Sequence, residues 1–261
     1  MAESRAEPGS PPILLGVSLK LYLDVERTAR WAHDVAAIAR SHPAVTDGSV
    51  ELFVLPSLPA VPLVVQELAG TPVRVGAQDL HWDDRGAYTG AVSGQDLRTV
   101  GCALVEVGHA ERRQIFGETD DVIGAKVAAA FRNGLVPVLC VGEHEPGSST
   151  DAAHVCISQI ESALRKVQIA DAEIIIAYEP EWAIGQAEAA SADHVRAVAA
   201  TLADRLRQDP RFATVRVVYG GSAQPGTLTD LRGDVDGLFL GRYAHDPAEL
   251  ARIIDEAAAL R

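Results

Sequence analysis

Apolar residues in this chain gather in eight short runs, at 13–19, 50–55, 73–77, 102–107, 135–141, 174–178, 215–219 and 236–240. Continuous aliphatic and β-branched runs without polar alternation mark strands buried on both faces of a parallel sheet. Several runs are followed by apolar residues at helical spacing. Asp24 predicts the cap of a helix reaching Arg40, and a second helix is expected over about 59–68. Val122, Ile123, Val127 and Ala130 predict a helix over 118–133, with Gly134 as its C-cap. Ser191 opens another that reaches Leu206, and an Ala-rich helix is expected over 247–260. Eight strand–helix repeats predict an α/β fold, a (β/α)8 TIM barrel in one domain over residues 13–261. An open doubly wound sheet is the competing architecture, and it would carry a Gly-rich fingerprint after the first strand. Gly16–Val17–Ser18–Leu19–Lys20 offers none. Residues 1–12, rich in Pro, Ser and Glu, are expected to form a flexible tail.

Composition narrows the function classes. A chain of 261 residues with 48% hydrophobic residues can bury a large core. A net charge of −13 leaves no cationic excess to neutralise nucleic-acid phosphates. A small anion remains compatible with that balance, because backbone amides bind phosphate without net basic charge. Cys102, Cys140 and Cys156 share no metal-ligand spacing and fit a reduced, cytoplasmic setting. Cys102 and Cys140 lie in apolar runs and read as core. No apolar run is long enough to span a bilayer. Neither a metal nor a cofactor is expected, and no membrane or nucleic-acid partner.

The chemistry collects at strand ends. The sixth run stops at Glu179, and Pro180 prevents the ladder from continuing. Parallel α/β folds place their reactive groups at that end of the strand. A carboxylate with Trp182 and Ile184 folded over it would lose solvation, and its pKa would rise. Lys20 follows the first run and His109 the fourth, so a barrel brings all three to one mouth. A carboxylate base, an imidazole that polarises oxygen and an ammonium together suit proton transfer beside a carbonyl. Taken singly, each also reads as an ordinary loop residue. Gly220, Gly221 and Ser222 after the seventh run and Gly241 after the eighth allow backbone amides to approach a phosphate. Gly185, on the loop after Glu179, is a further candidate amide.

Longer motifs carry a resemblance. Gly108–His109–Ala110–Glu111–Arg112–Arg113 with Phe116–Gly117–Glu118 is similar to the histidine motif of the triosephosphate isomerase family. Tyr178–Glu179–Pro180–Glu181–Trp182–Ala183–Ile184–Gly185 resembles its catalytic-base motif, and Tyr219–Gly220–Gly221–Ser222 its phosphate loop. Cys140–Val141–Gly142–Glu143 resembles a fifth-strand motif of the same family. The resemblance implies Glu179 as base, His109 as electrophile and Lys20 as electrostatic partner. It implies a small phosphorylated sugar as substrate, a lid over 180–190, and a homodimer formed through the loop 78–90.

Four positions depart from the family pattern. Ser18 stands where the motif has asparagine, and Ala110 where it has serine. The lid reads Gly185–Gln186–Ala187–Glu188–Ala189, and Gly241 is followed by Arg242 instead of a second glycine. The ending Gly241–Arg242–Tyr243–Ala244–His245–Asp246–Pro247 resembles the branch of the family that acts on erythrulose phosphate in tetritol breakdown. Conversion of L-erythrulose 1-phosphate to D-erythrulose 4-phosphate is therefore the expected reaction, with Ser18 and Arg242 among the substrate contacts. An authentic triosephosphate isomerase is the alternative, and a non-catalytic sugar-phosphate-binding barrel a more distant one.

Overall fold

The computed structural model describes residues 11–184, 190–231 and 233–261. Eight parallel strands close into a barrel in sequence order. They are β1 (Ile13–Ser18), β2 (Val50–Leu55), β3 (Arg74–Ala77), β4 (Leu104–Val107), β5 (Val136–Val141), β6 (Ala172–Tyr178), β7 (Phe212–Tyr219) and β8 (Gly237–Leu240). Each strand lies within a few residues of its apolar run. β1 pairs with β2 on one side and with β8 on the other, which closes the ring. The helices cover the outside.

Strand alternation sorts the apolar residues into two cores. Leu14, Phe53, Leu55, Leu104, Val138, Cys140, Ile175, Ala177, Val218 and Phe239 fill the barrel interior. The other set, including Val17, Val54, Val105, Val107 and Ile176, meets the helices. Gly16 is required by this packing. A Cβ there would lie 2.0 Å from the Phe53 ring, which stacks on Phe239 inside the barrel.

Two predicted N-caps are in place. Asp24 accepts from the Arg27 amide and opens the helix Val25–Ser41. Ser191 accepts from the His194 amide and opens Ala192–Arg207. Two further N-caps were not predicted: Thr119 caps Asp120–Arg132 and Asp246 caps Pro247–Ala259. The C-cap expected at Gly134 is Asn133, with Gly134 following at φ 67°. The expected helix over 59–68 is instead a 3-10 turn, Leu58–Ala60, followed by Val61–Glu67. Sequence reasoning did not find the 16-residue helix Ser149–Leu164. Its buried stripe is mostly small, Ala152, Ala153, Cys156 and Ala163 with only Ile160 and Leu164, so its apolar signal is faint. Pro12, at the end of the expected tail, is anchored because its carbonyl accepts from Arg216. The rest of that expectation, residues 1–10, lies outside the described residues.

Candidate active site

A cavity of about 600 Å3 opens at the carboxyl ends of the strands, and Ser18, Lys20, His109, Glu179, Gly220, Ser222, Gly241 and Arg242 line it. All three residues expected to act on the proton share this mouth. Gly221 lies outside the lining, and Gly185 lies outside the described residues.

Glu179 follows β6 and is only 6% exposed. Its Oε2 is buried and accepts no hydrogen bond. Burial raises its pKa, against the opposing pull of His109 and then Lys20. Room for this carboxylate comes from Gly220, where a Cβ would sit 2.5 Å from Oε1. The Gly220 amide is already committed to the Tyr178 carbonyl at 2.9 Å, so it is not free for an anion. This glycine serves the site through the side chain it lacks. Ile184 lines the cavity as expected, but Trp182 does not cover Glu179. Its indole N–H donates to Glu143 at 2.9 Å. Glu143 also accepts from Tyr178 at 3.2 Å, so this buried carboxylate braces the end of β6 and the chain beyond it.

His109 caps the helix Ala110–Phe116, and its Nδ1 accepts the Glu111 amide at 3.1 Å. A ring nitrogen that accepts carries no proton, so the ring N–H is on Nε2. Nε2 lies 3.5 Å from Glu179 Oε2. The carboxylate and the ring N–H therefore lie side by side in the wall of the cavity, where one substrate can reach both.

Lys20 takes a left-handed conformation, φ 46°, unusual for a residue with a side chain. Gln78 holds that turn by donating to the Lys20 carbonyl at 3.0 Å and to the Leu55 carbonyl at 2.9 Å. Lys20 Nζ reaches Glu111 at 2.8 Å. Burial acts to lower the Lys20 pKa, but Glu111, Glu179 and Glu106 outweigh it and raise it. The ammonium is therefore held charged at the mouth.

On the phosphate side, Ser222 also has positive φ, 55°, and its hydroxyl donates to the Ala183 carbonyl at 2.9 Å. Gly241 precedes a single 3-10 turn, Arg242–His245. Arg242 lines the cavity with its guanidinium 5.8 Å from the centre of the Tyr22 ring. His245 donates from Nε2 to the Ser18 carbonyl at 3.2 Å, tying this last loop to the end of β1.

The triosephosphate isomerase family model matches residues 13–257. The chain belongs to the triosephosphate isomerase family. An L-erythrulose-1-phosphate isomerase of Pectobacterium atrosepticum is 49% identical over 253 residues, covering 96% of this chain and 98% of that protein. A triosephosphate isomerase of Moorella thermoacetica is 37% identical, covering 88% and 94%. The crystal structure of a triosephosphate isomerase from Bartonella henselae superposes with a TM-score of 0.77 at 28% identity, covering 93% of this chain and 97% of that one. The protein is an isomerase of the triosephosphate isomerase type. Lys20, His109 and Glu179 share the mouth of the cavity. A further polar residue, Glu106, is buried inside the barrel beneath that mouth. Sequence reasoning passed over it. The available signal was one carboxylate inside the apolar run Leu104–Val105–Glu106–Val107.

Proposed function

We propose that this triosephosphate isomerase family member shifts the carbonyl of L-erythrulose 1-phosphate by one carbon, giving D-erythrulose 4-phosphate. Glu179 removes the proton from the carbinol carbon beside the ketone. His109 donates its Nε2–H to the carbonyl oxygen as the enediolate forms, and Lys20 offsets the developing charge. Glu179 then returns a proton to the former carbonyl carbon. The hydroxyl on the neighbouring carbon gives its proton to His109 Nε2, restoring the ring N–H, its oxygen becomes the new carbonyl, and the phosphate is untouched. Ser222, Gly241 and Arg242 hold the phosphate end. The observation that carries this reading is the buried, unpartnered Oε2 of Glu179 beside the ring N–H of His109 in the wall of the cavity.

The substrate choice is supported by the 49% identical relative named L-erythrulose-1-phosphate isomerase. This substrate is dihydroxyacetone phosphate with a hydroxymethyl group on the reacting carbon. Ser18, short and lining the cavity, leaves space at that end. Such a substrate belongs to tetritol breakdown in the cytoplasm, where three unpaired cysteines suit the redox conditions. Among the described residues, no helix is long and apolar enough to cross a membrane.

The deciding measurement is kcat/KM for L-erythrulose 1-phosphate against dihydroxyacetone phosphate. A preference for the triose would return the protein to triosephosphate isomerisation. Absence of solvent exchange at the carbon-bound proton of either substrate would leave only a binding barrel.

The assembly we propose is a homodimer formed through the loop 78–90. That loop exposes Trp82 and Tyr88, and the helix after β4 exposes Ile115 and Phe116. Light scattering should give twice the chain mass, and W82E should halve it.

A further inference from the structure

Glu106 lies on β4, three residues before His109. Val105 and Val107 face the helices, whereas Leu104 faces the barrel interior, so alternation sends Glu106 inward too. It is 3% exposed, and its partners are neutral. Ser18 Oγ donates to Oε2 at 3.2 Å, and the Cys140 thiol approaches Oε1 at 3.8 Å. Among the described residues, no cation lies within ion-pair distance of it. A buried carboxylate without a counter-ion costs stability, and an apolar residue of similar volume would fill the same space without that cost.

What the carboxylate gains is control of Ser18. A hydroxyl has one hydrogen and two lone pairs. Ionised Glu106 can only accept, so the Ser18 hydrogen is then committed inward and only lone pairs remain for the cavity that Ser18 lines. The Ser18 backbone is pinned as well, through the His245 hydrogen bond to its carbonyl. Ser18 thus presents a fixed acceptor at the mouth shared with Lys20 and His109. A fixed acceptor selects a ligand hydroxyl. A site built to bond a hydroxyl discriminates against an analogue lacking it far more strongly than apolar contact discriminates by size.

We propose that Glu106 is a positioning residue for substrate selection, holding the Ser18 hydroxyl as acceptor for the terminal hydroxymethyl group of a four-carbon ketose phosphate. This rests on the tetrulose-phosphate reading above. A triose phosphate has no hydroxyl to offer at that place, so it gains nothing from the arrangement.

The test compares kcat/KM for L-erythrulose 1-phosphate and dihydroxyacetone phosphate in the unmodified enzyme, E106L, S18A and the double variant. The ratio in the unmodified enzyme tests the tetrulose reading by itself. The proposal expects E106L to lower the tetrulose-to-triose ratio by about 10- to 100-fold. S18A should lower it by a similar factor. The double variant should fall no further than either single one, because both changes remove the same bond. E106M makes the same comparison should E106L not fold. Equal losses for the two substrates in E106L or E106M would reduce Glu106 to a structural role and overturn the proposal. Independent, multiplying effects of the two sites would also overturn it, even where the unmodified enzyme prefers the tetrulose.

Discussion

Two charge clusters in this barrel, one half-buried and one buried, use carboxylates in opposite ways. In the first, Lys126 lies 2.5 Å from both Asp79 and Glu118, and Arg112 adds contacts of 2.9 Å and 2.6 Å to the same carboxylates. Burial still raises the Asp79 pKa against the pull of Lys126, so even matched charges bear a desolvation cost. In the second, Glu179 has an imidazole nitrogen at 3.5 Å as its closest ionic contact, and Glu106 has only a hydroxyl and a thiol. Burial pushes Glu106 from its ordinary 4.5 up to about 7, with Glu179 adding to the rise and His109 and Lys20 opposing it. Matched buried charges hold loops in place. The unmatched ones lie at the cavity, Glu179 in its wall and Glu106 beneath, and burial raises the pKa of both.

The contrast breaks first at Glu179. Changing it to Gln removes the base while keeping the shape, and kcat should fall roughly 10^3- to 10^4-fold with substrate still bound. Near-full turnover would remove Glu179 from the chemistry. In the proposed mechanism Glu179 works deprotonated, and burial raises its pKa, so the acid limb of kcat/KM should lie above the ordinary carboxylate value. A limb at or below 4.5 would contradict the burial argument.

The matched cluster should respond in stability instead. K126M leaves Glu118 and the half-buried Asp79 beside a neutral side chain, with Arg112 their remaining partner, and should cost about 3–5 kcal/mol. Denaturant unfolding measures this, and a loss below about 1 kcal/mol would show that Arg112 alone neutralises the pair.

The smallest effect sharpens the other side. Folded Glu106 holds its proton to about pH 7, whereas the unfolded chain releases it near 4.5. Between those values the folded state binds more protons, so this group makes stability fall as pH rises. E106Q carries no such charge. It should be more stable than the unmodified protein at pH 8 by roughly 1–3 kcal/mol, and the difference should shrink toward pH 5. Parallel stability curves across that range would mean that Glu106 titrates normally.

Much of this molecule was legible along the chain. Strands buried on both faces have to be apolar throughout, so the eight runs and the barrel could be read directly. Glu179, His109 and Lys20 could be read because each stands where a strand must end, and strand ends meet at one mouth. The helix Ser149–Leu164 escaped because alanine and cysteine bury a face without announcing it. The rest depended on neighbours distant in sequence. Gly220 was expected to offer an amide, yet its amide is taken by Tyr178, and its value is the space it leaves for Glu179. Trp182 was expected over the base and docks on Glu143 instead. Glu106 reads as one odd carboxylate in a strand until barrel closure places it against Ser18, 88 positions earlier. Local pattern determines which segments form strands and where they end, because periodicity and breakers act over a few residues. Only closure decides which interior side chains meet, because strand register and stagger set those contacts around the whole ring.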